Sequence, residues 1–216
     1  MILIGQFDSP FVRRVAIAMR LYAMDFEHRP WSVFGDAERL KAINPLMRVP
    51  TLVMDDGEVL IESSSILDAL DQLAGENIAL APATGPDRRA VLRICALACG
   101  LADKGVSLLY EMRVHQRGTP AWSERCRMQI EGAADALEAD RAKRKTDWWF
   151  SHNISHADIA VAVALYFVCD AHPGLIDLAK WPRLKAHSDR CEALEVFAEI
   201  KQPFRLAPLS TKGSAA

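Results

Sequence analysis

The stretch Asp8-Ser9-Pro10-Phe11-Val12-Arg13-Arg14-Val15 decides how the chain is read. Before it lies Met1-Ile2-Leu3-Ile4, a short apolar run that reads as a buried strand. After it, apolar residues recur at Phe11, Val12, Val15, Ala16, Met19 and Tyr22, the spacing of one helix face. The period changes at Ser9-Pro10. Serine is a preferred N-cap, and proline suits the first helical position, where no N–H is needed. A hydroxyl is therefore expected at the positive end of a helix, where the chain leaves a strand. Such a position serves either as a helix cap or as a place to stabilise an anion.

Working outward, the first 75 or so residues keep switching between strand and helix patterns. Strand 1–5 and helix 10–23 precede Phe26-Glu27-His28-Arg29-Pro30-Trp31, a second strand that Pro30 marks as an edge or an end. A short helix is expected over 36–43, capped by Asp36. Val49 to Met54 and Val59-Leu60-Ile61 flank Asp55-Asp56-Gly57-Glu58, a hairpin signal. Glu62-Ser63-Ser64-Ser65 then opens a helix through Ile66, Leu67, Leu70 and Leu73, which Gly75 is placed to stop. This is a small α/β unit with a crossover helix and an antiparallel hairpin.

Residues 76–86 carry two prolines and a glycine without a sustained period, and read as a linker. Beyond them only helices are expected. One runs from Asp87 to about Arg117 and a second from Ala121 to Lys143. A third starts at Ser155-His156-Ala157-Asp158, a capping-box pattern with Asp in place of Glu. Its continuation, Ile159 to Val168, is apolar almost all round and should form the buried centre of the second domain. His172-Pro173-Gly174 breaks it. Trp181-Pro182 opens a last helix through Leu184, His187 and Cys191. From Pro203 the tail turns small and polar, and its last five or six residues are expected to be disordered.

The bulk composition excludes several classes of function. The chain has 216 residues, half of them hydrophobic, with a net charge of −2 and no strongly basic stretch. Nucleic acid and an anionic membrane surface are not expected partners. No apolar run approaches the roughly 20 residues that span a bilayer, and the N-terminus lacks the charged lead of a signal peptide. The five cysteines (95, 99, 126, 169, 191) have no CxxC or metal-ligand spacing, and read as small buried hydrophobes in a reducing cytoplasm. The six histidines lack HExxH-type pairing, so no metal site is expected.

Two further features carry chemistry. Pro50, in Asn44-Pro45-Leu46-Met47-Arg48-Val49-Pro50-Thr51-Leu52, stands at the start of a strand. It either marks that start in the ordinary trans form or is cis, turning the Val49 N–H and C=O outward for an extended peptide to pair with. Ser63 lies at a helix start, where its hydroxyl and the amides beyond it cap the helix or bind a carboxylate. Glu62 is placed to accept from an ammonium group.

Together, in order and spacing, these features resemble the glutathione S-transferase family over the whole chain. The phrases are Ser9-Pro10-Phe11, Asn44-Pro45 with Val49-Pro50-Thr51-Leu52, Glu62-Ser63 with Ile66, and Ser155-x-x-Asp158. Ser9-Pro10-Phe11 falls where omega-like members carry Cys-Pro-Phe or Cys-Pro-Tyr. It is similar to a bacterial branch with serine there, and departs from the Ser-Ser-Cys phrase of zeta members.

The resemblance implies a thioredoxin-like domain over 1–76, a linker over 77–86 and an all-helical domain over 87–216. It implies a cytoplasmic homodimer acting on glutathione and a small electrophile, with no metal. Ser9 would donate a hydrogen bond to the glutathione thiolate. Phe11, Arg48, Val49, Pro50, Glu62 and Ser63 would hold the tripeptide, and Asp103 would reach a neighbouring subunit's ligand. Tyr110, Met112, Arg113 and Trp122 would line the electrophile site between the domains. Arg13 and Arg48 are the two candidates for the glycyl carboxylate. Serine in place of cysteine argues against disulfide exchange. The alternative is a non-catalytic binding or assembly module of the same fold.

Overall fold

The computed structural model describes residues 1–116 and 118–205. The N-terminal domain is thioredoxin-like and the C-terminal domain is helical. Four three-residue strands, β1 (Ile2–Ile4), β2 (Glu27–Arg29), β3 (Thr51–Val53) and β4 (Val59–Ile61), form one sheet in the order β2-β1-β3-β4. β1 runs parallel to β2, pairing Leu3 with His28, and antiparallel to β3, pairing Leu3 with Leu52. β3 and β4 form the expected hairpin. The edge position of β2 agrees with Pro30 at its end, since proline has no N–H for a further ladder.

Helix α1 (Pro10–Leu21) follows β1, and α3 (Ser63–Ala74) follows β4. The two pack together on the sheet through Val12, Val15, Ile66, Leu67 and Leu70, all buried. The short α2 (Ala37–Lys41) lies between. Asp36 does not cap it: one carboxylate oxygen accepts from the Ser32 amide at 3.0 Å and the other faces Arg39. The acid closes the preceding turn instead.

The helical domain comprises α4 (Gly85–Leu109), α5 (Pro120–Arg141), α6 (His156–Ala171), α7 (Pro182–Glu192) and α8 (Glu195–Glu199). Three departures from the sequence expectation matter. Helix α4 starts two residues before Asp87, taking Gly85 from the expected linker. It gives way at Tyr110–Val114 to a π-helical turn rather than running regularly to Arg117. The short α8 follows α7 and was not expected. Its Phe197 is fully buried against the N-terminal domain.

Helix α6 is the shared core. Ala160, Val161, Ala164, Leu165 and Val168 pack with α4, α5 and α7, while Ile159, Ala162 and Val163 join the cluster of α1 and α3. A helix apolar on every side fits this place, between two layers rather than inside one. Its start is held by Asp158, whose Oδ2 accepts from the Ser155 amide at 2.8 Å and from the Ser155 hydroxyl at 2.6 Å; its Oδ1 accepts from the Trp149 amide at 2.7 Å.

Polar groups lock the seam between the domains. Arg13 Nη1 and Nη2 donate to the Glu192 carboxylate at 2.7 and 2.9 Å, and Nε donates to the Ile200 carbonyl at 2.7 Å. Nη2 also donates to the Phe197 carbonyl. Tyr22 Oη donates to Asp71 Oδ1, which is also 2.7 Å from His156 Nε2. The amide of Leu80 donates back to Tyr22 Oη at 2.8 Å, bringing the interdomain segment into the same network. Of the five free cysteines, Cys95, Cys126 and Cys191 are buried as expected; Cys99 and Cys169 are only half-buried.

Candidate active site

The site is built where β1 hands over to α1. Gly5 ends the strand with φ +131°, and a Cβ there would lie 2.5 Å from Val12 Cγ2 and 2.8 Å from Val49 Cβ. Only glycine lets the start of α1 and the Val49–Pro50 loop come this close. The Gly5 amide donates to the Arg29 carbonyl at 2.9 Å, and its own carbonyl is 2.8 Å from His28 Nε2. His28 stacks on Phe7 with ring centroids 3.8 Å apart.

Ser9 is the N-cap of α1. Its backbone is extended, and its Oγ accepts from the Val12 amide at 3.4 Å. That contact is long, and it uses a lone pair rather than the hydroxyl proton. Capping therefore leaves Ser9 able to donate. The Val49–Pro50 bond is cis. Among the described residues neither backbone group of Val49 has a hydrogen-bond partner.

A cleft of about 150 Å³ brings these features together. Ser9, Phe11, Arg48, Val49 and Tyr110, all expected at the site, line it. Tyr110 sits where α4 becomes the π turn, a distortion common at functional sites, and its ring lies 5.4 Å from that of Phe34. Burial raises the Tyr110 phenol above its usual value, against the nearby charge of Arg48.

The other expected residues lie outside this lining. Pro50 is buried behind it at the start of β3. Glu62 (φ +65°) precedes α3, and its carboxylate is 3.4 Å from Arg48 Nη1, with both side chains more than half exposed. Ser63 is buried, and its Oγ accepts from Arg14 Nη1 at 3.4 Å. Asp103 pairs with its neighbour Lys104 at 3.1 Å. Met112 is exposed on the π turn. Trp122 lines a separate, more open groove that shares Tyr110 with the cleft. The side chain of Arg113 lies outside the described residues, as does the expected disorder of the chain end.

Arg13 cannot serve a ligand carboxylate. It is 1% exposed and fully engaged in the seam. The guanidinium behind the α3 start is Arg14, also buried, which touches both Ser63 and Cys99.

The cleft also has walls that the sequence did not single out. Trp31 and Phe34 follow β2, and Phe167 comes from α6. Phe204 and Arg205 come from the C-terminal segment, which returns to the cleft. There the Phe204 amide donates to Asp170 Oδ2 at 2.5 Å, and the Arg205 amide reaches Asp8 Oδ2 at 3.5 Å. Gln202 Oε1 accepts from the Phe7 amide at 3.2 Å. Burial raises the Asp8 carboxyl above its usual range, opposed by backbone amides and assisted by the charge of Asp170. Local signals exist only for the 31–34 turn; Phe167 and Phe204 reach the cleft through tertiary packing.

A thioredoxin-like domain joined to a helical domain defines the fold class of this chain. Family models make the assignment specific. The glutathione S-transferase N-terminal domain matches residues 3–78, and the glutathione S-transferase C-terminal domain matches residues 120–190. The GST-like protein YibF of Escherichia coli is 30% identical, over 77% of this chain and 81% of its own. The maleylacetoacetate isomerase of Pseudomonas aeruginosa is 27% identical, over 86% and 88%. Among solved structures, a glutathione S-transferase from Methylobacterium radiotolerans in complex with glutathione sulfonate superposes with a TM-score of 0.87. It is 28% identical, with 95% of this chain and 96% of that one covered. The chain belongs to the glutathione S-transferase family.

Proposed function

We propose that the protein is a glutathione transferase that activates the glutathione thiol for attack on small electrophiles. The observation that carries this is the Ser9 hydroxyl, held at the α1 N-terminus with its proton uncommitted, in a cleft it shares with the unpaired backbone of Val49. Glutathione is an extended, anionic tripeptide. Its cysteinyl backbone pairs with Val49 as an added strand, which delivers its sulfur to Ser9. Its γ-glutamyl carboxylate meets the amides at the α3 start near Ser63, with Arg14 behind them, and its ammonium faces Glu62. Arg48 is the remaining candidate for the glycyl carboxylate. Phe11 and Pro50 shape the floor.

A free thiol with a pKa near 8.5 is only a few per cent ionised at neutral pH. Lowering it by about two units takes roughly 2.7 kcal/mol of preferential thiolate stabilisation. A hydrogen bond to a charged acceptor contributes about 1.5–3 kcal/mol, and a helix N-terminus about 0.3–1 kcal/mol. Ser9 and α1 together reach that range without a general base. The thiolate then attacks the electrophile, which sits against Tyr110 and the aromatic walls.

The wider proposal retains the boundaries 1–76, 77–86 and 87–216, a cytoplasmic homodimer, and Asp103 reaching the neighbour's ligand. Met112, Arg113 and Trp122 belong to its outer electrophile site. A second reading, glutathione-dependent isomerisation, is favoured by the similarity to the maleylacetoacetate isomerase over most of both chains. In it the thiolate adds to the substrate and is later expelled. Ser9 plays the same part, and the Ser-Ser-Cys phrase is absent.

Calorimetry with glutathione, followed by turnover of a generic aryl halide, tests the reading. Binding and Ser9-dependent turnover are expected. Binding without turnover would favour the non-catalytic module, and no binding would remove both. Ser9→Cys should gain disulfide exchange that the parent lacks.

A further inference from the structure

One buried charge is left uncompensated between the seam and the cleft. Arg14, on α1, is 4% exposed. Its Nη1 reaches two acceptors, Ser63 Oγ at 3.4 Å and Cys99 Sγ at 2.8 Å. Neither neutralises it, since a hydroxyl is uncharged and a thiol is a weak acceptor. Its Nε is buried with no partner among the described residues. No carboxylate among those residues is in ion-pair contact with Arg14, whereas Arg13 beside it holds the Glu192 carboxylate with two nitrogens. A buried guanidinium without a counter-charge weakens the empty protein.

The Arg14 guanidinium is directed at the start of α3, through Ser63. That helix has 12 residues, and the amides of Ser63, Ser64 and Ser65 in its first turn have no partner among the described residues. Glu62 at the N-cap makes no side-chain cap, and the first turn holds no acidic residue. Helix α6 shows the alternative: it supplies its own carboxylate, Asp158, to its first turn. Helix α3 supplies none, although a cation stands behind it. Free amides and an uncompensated guanidinium at one helix start call for a carboxylate that the chain does not provide.

We infer that Arg14 is the residue that makes the α-carboxylate of the γ-glutamyl group a requirement in the thiol substrate, acting through Ser63 and the α3 amides without touching the ligand. The inference rests on the glutathione reading and adds a positioning and specificity-determining residue to it. Arg14 takes a lone pair of the Ser63 hydroxyl, which leaves the hydroxyl proton to be donated. Its charge acts across a short path of low dielectric, where screening is weak. A thiol that lacks the carboxylate leaves Arg14 uncompensated and is bound weakly. Ser9 and Arg14 belong to the first two turns of the same helix, so α1 fixes the thiol end and the carboxylate end of the ligand together.

Calorimetry on the full chain tests this with glutathione and with 4-aminobutanoyl-cysteinylglycine, which keeps the thiol, the ammonium and the glycyl end but lacks the α-carboxylate. The parent should bind glutathione about tenfold more tightly than the analogue, or better. Arg14→Met should weaken glutathione about tenfold and leave the analogue nearly unchanged, so that the preference collapses. The unfolding midpoint of the empty Arg14→Met protein should not fall, because the charge it removes has no counter-charge. Arg14→Gln, which keeps a donor for Ser63 but not the charge, should behave in the same way and carries the test if Arg14→Met does not fold. Arg14→Lys should restore most of the preference. Arg20→Gln, in the last turn of α1, should alter neither affinity. A preference that survives loss of the charge, or an equal loss of both ligands, would overturn the assignment of Arg14 alone. Failure of the parent to bind glutathione would remove the glutathione reading, and this inference with it.

Discussion

The cleft at Ser9 and the seam between the domains are both polar, and both draw on α1. They differ in how completely their polar groups are used. In the seam every N–H of the Arg13 side chain that can reach a partner has one, and Tyr22, Asp71 and His156 share one buried network in which, among the described residues, His156 Nδ1 alone is left without a partner. In the cleft the Ser9 cap is long, Val49 has no backbone partner among the described residues, and Arg48 on its wall meets Glu62, just outside the lining, loosely at 3.4 Å. Buried polar groups with saturated partners hold a structure together. Groups left open at a concave surface are available to a ligand. Arg13 and Arg14, adjacent in sequence, show the contrast: one is fully paired, and the other has a buried Nε without a partner among the described residues, beside the α3 start.

That contrast can be broken by mutation. Removing Arg13 should be the most damaging change to stability. Arg13→Ala leaves Glu192 with only the partly exposed Lys201 at 3.2 Å and strands the Phe197 and Ile200 carbonyls in the buried seam, at a cost of about 3–5 kcal/mol. Denaturant unfolding should show the loss, while folded molecules keep their glutathione affinity. A parallel loss of affinity would mean that the seam and the cleft are not separate in function.

Ser9→Ala should do the reverse. Turnover is expected to fall roughly 10²-fold, the kinetic equivalent of about 2.7 kcal/mol. Stability should fall by only about 0.5 kcal/mol, the low end for a lost cap, because the cap contact is long. An equal loss in both measurements would reduce Ser9 to a structural residue.

Next in size is the response to acid. Burial pushes the imidazoles of His156 and His187 below their ordinary value, against the opposing effects of Asp71 and Asp158 respectively. The unfolded chain therefore takes up these protons first, near the ordinary value of about 6.5. Their contribution to stability is complete above that value and falls as the pH drops through it toward the folded values. The unfolding midpoint should decline from about pH 7 to about pH 5. His156→Gln should flatten part of that slope.

The smallest stability effect belongs to the exposed Arg48–Glu62 pair. Glu62→Gln should change stability by less than about 1 kcal/mol, yet raise the KM for glutathione through the lost ammonium contact. An unchanged KM would remove Glu62 from the site.

Local patterns carried most of the fold. The strand-to-helix switch at Ser9-Pro10, the hairpin around Gly57 and the Ser155–Asp158 cap are each written within a few residues, and each is found in the structure. Asp36 misled because a turn carboxylate can close the turn before it as readily as it caps the helix after it. Arg13 misled because its partners, Glu192, Phe197 and Ile200, lie some 180 residues away. The cleft was legible only on its N-terminal side. Phe167 lies on a helix that is apolar all round, so its sequence offers no favoured face. Phe204 lies in the stretch from Pro203 onward that reads as a small, polar tail, and its place depends on Asp170 and on a ring contact with Phe167. Trp122 and Met112 were expected at the same site as Tyr110; Met112 is exposed on the π turn, and Trp122 shares with Tyr110 a groove beside the cleft.

The central claim is that the Ser9 hydroxyl donates to a thiolate. It is tested most directly by titrating the ultraviolet thiolate absorbance of glutathione bound to the parent and to Ser9→Ala. The account predicts a bound thiol pKa about two units below the free value in the parent, and most of that shift lost in Ser9→Ala. An unshifted thiol in the parent, or the same shift in both proteins, would contradict it.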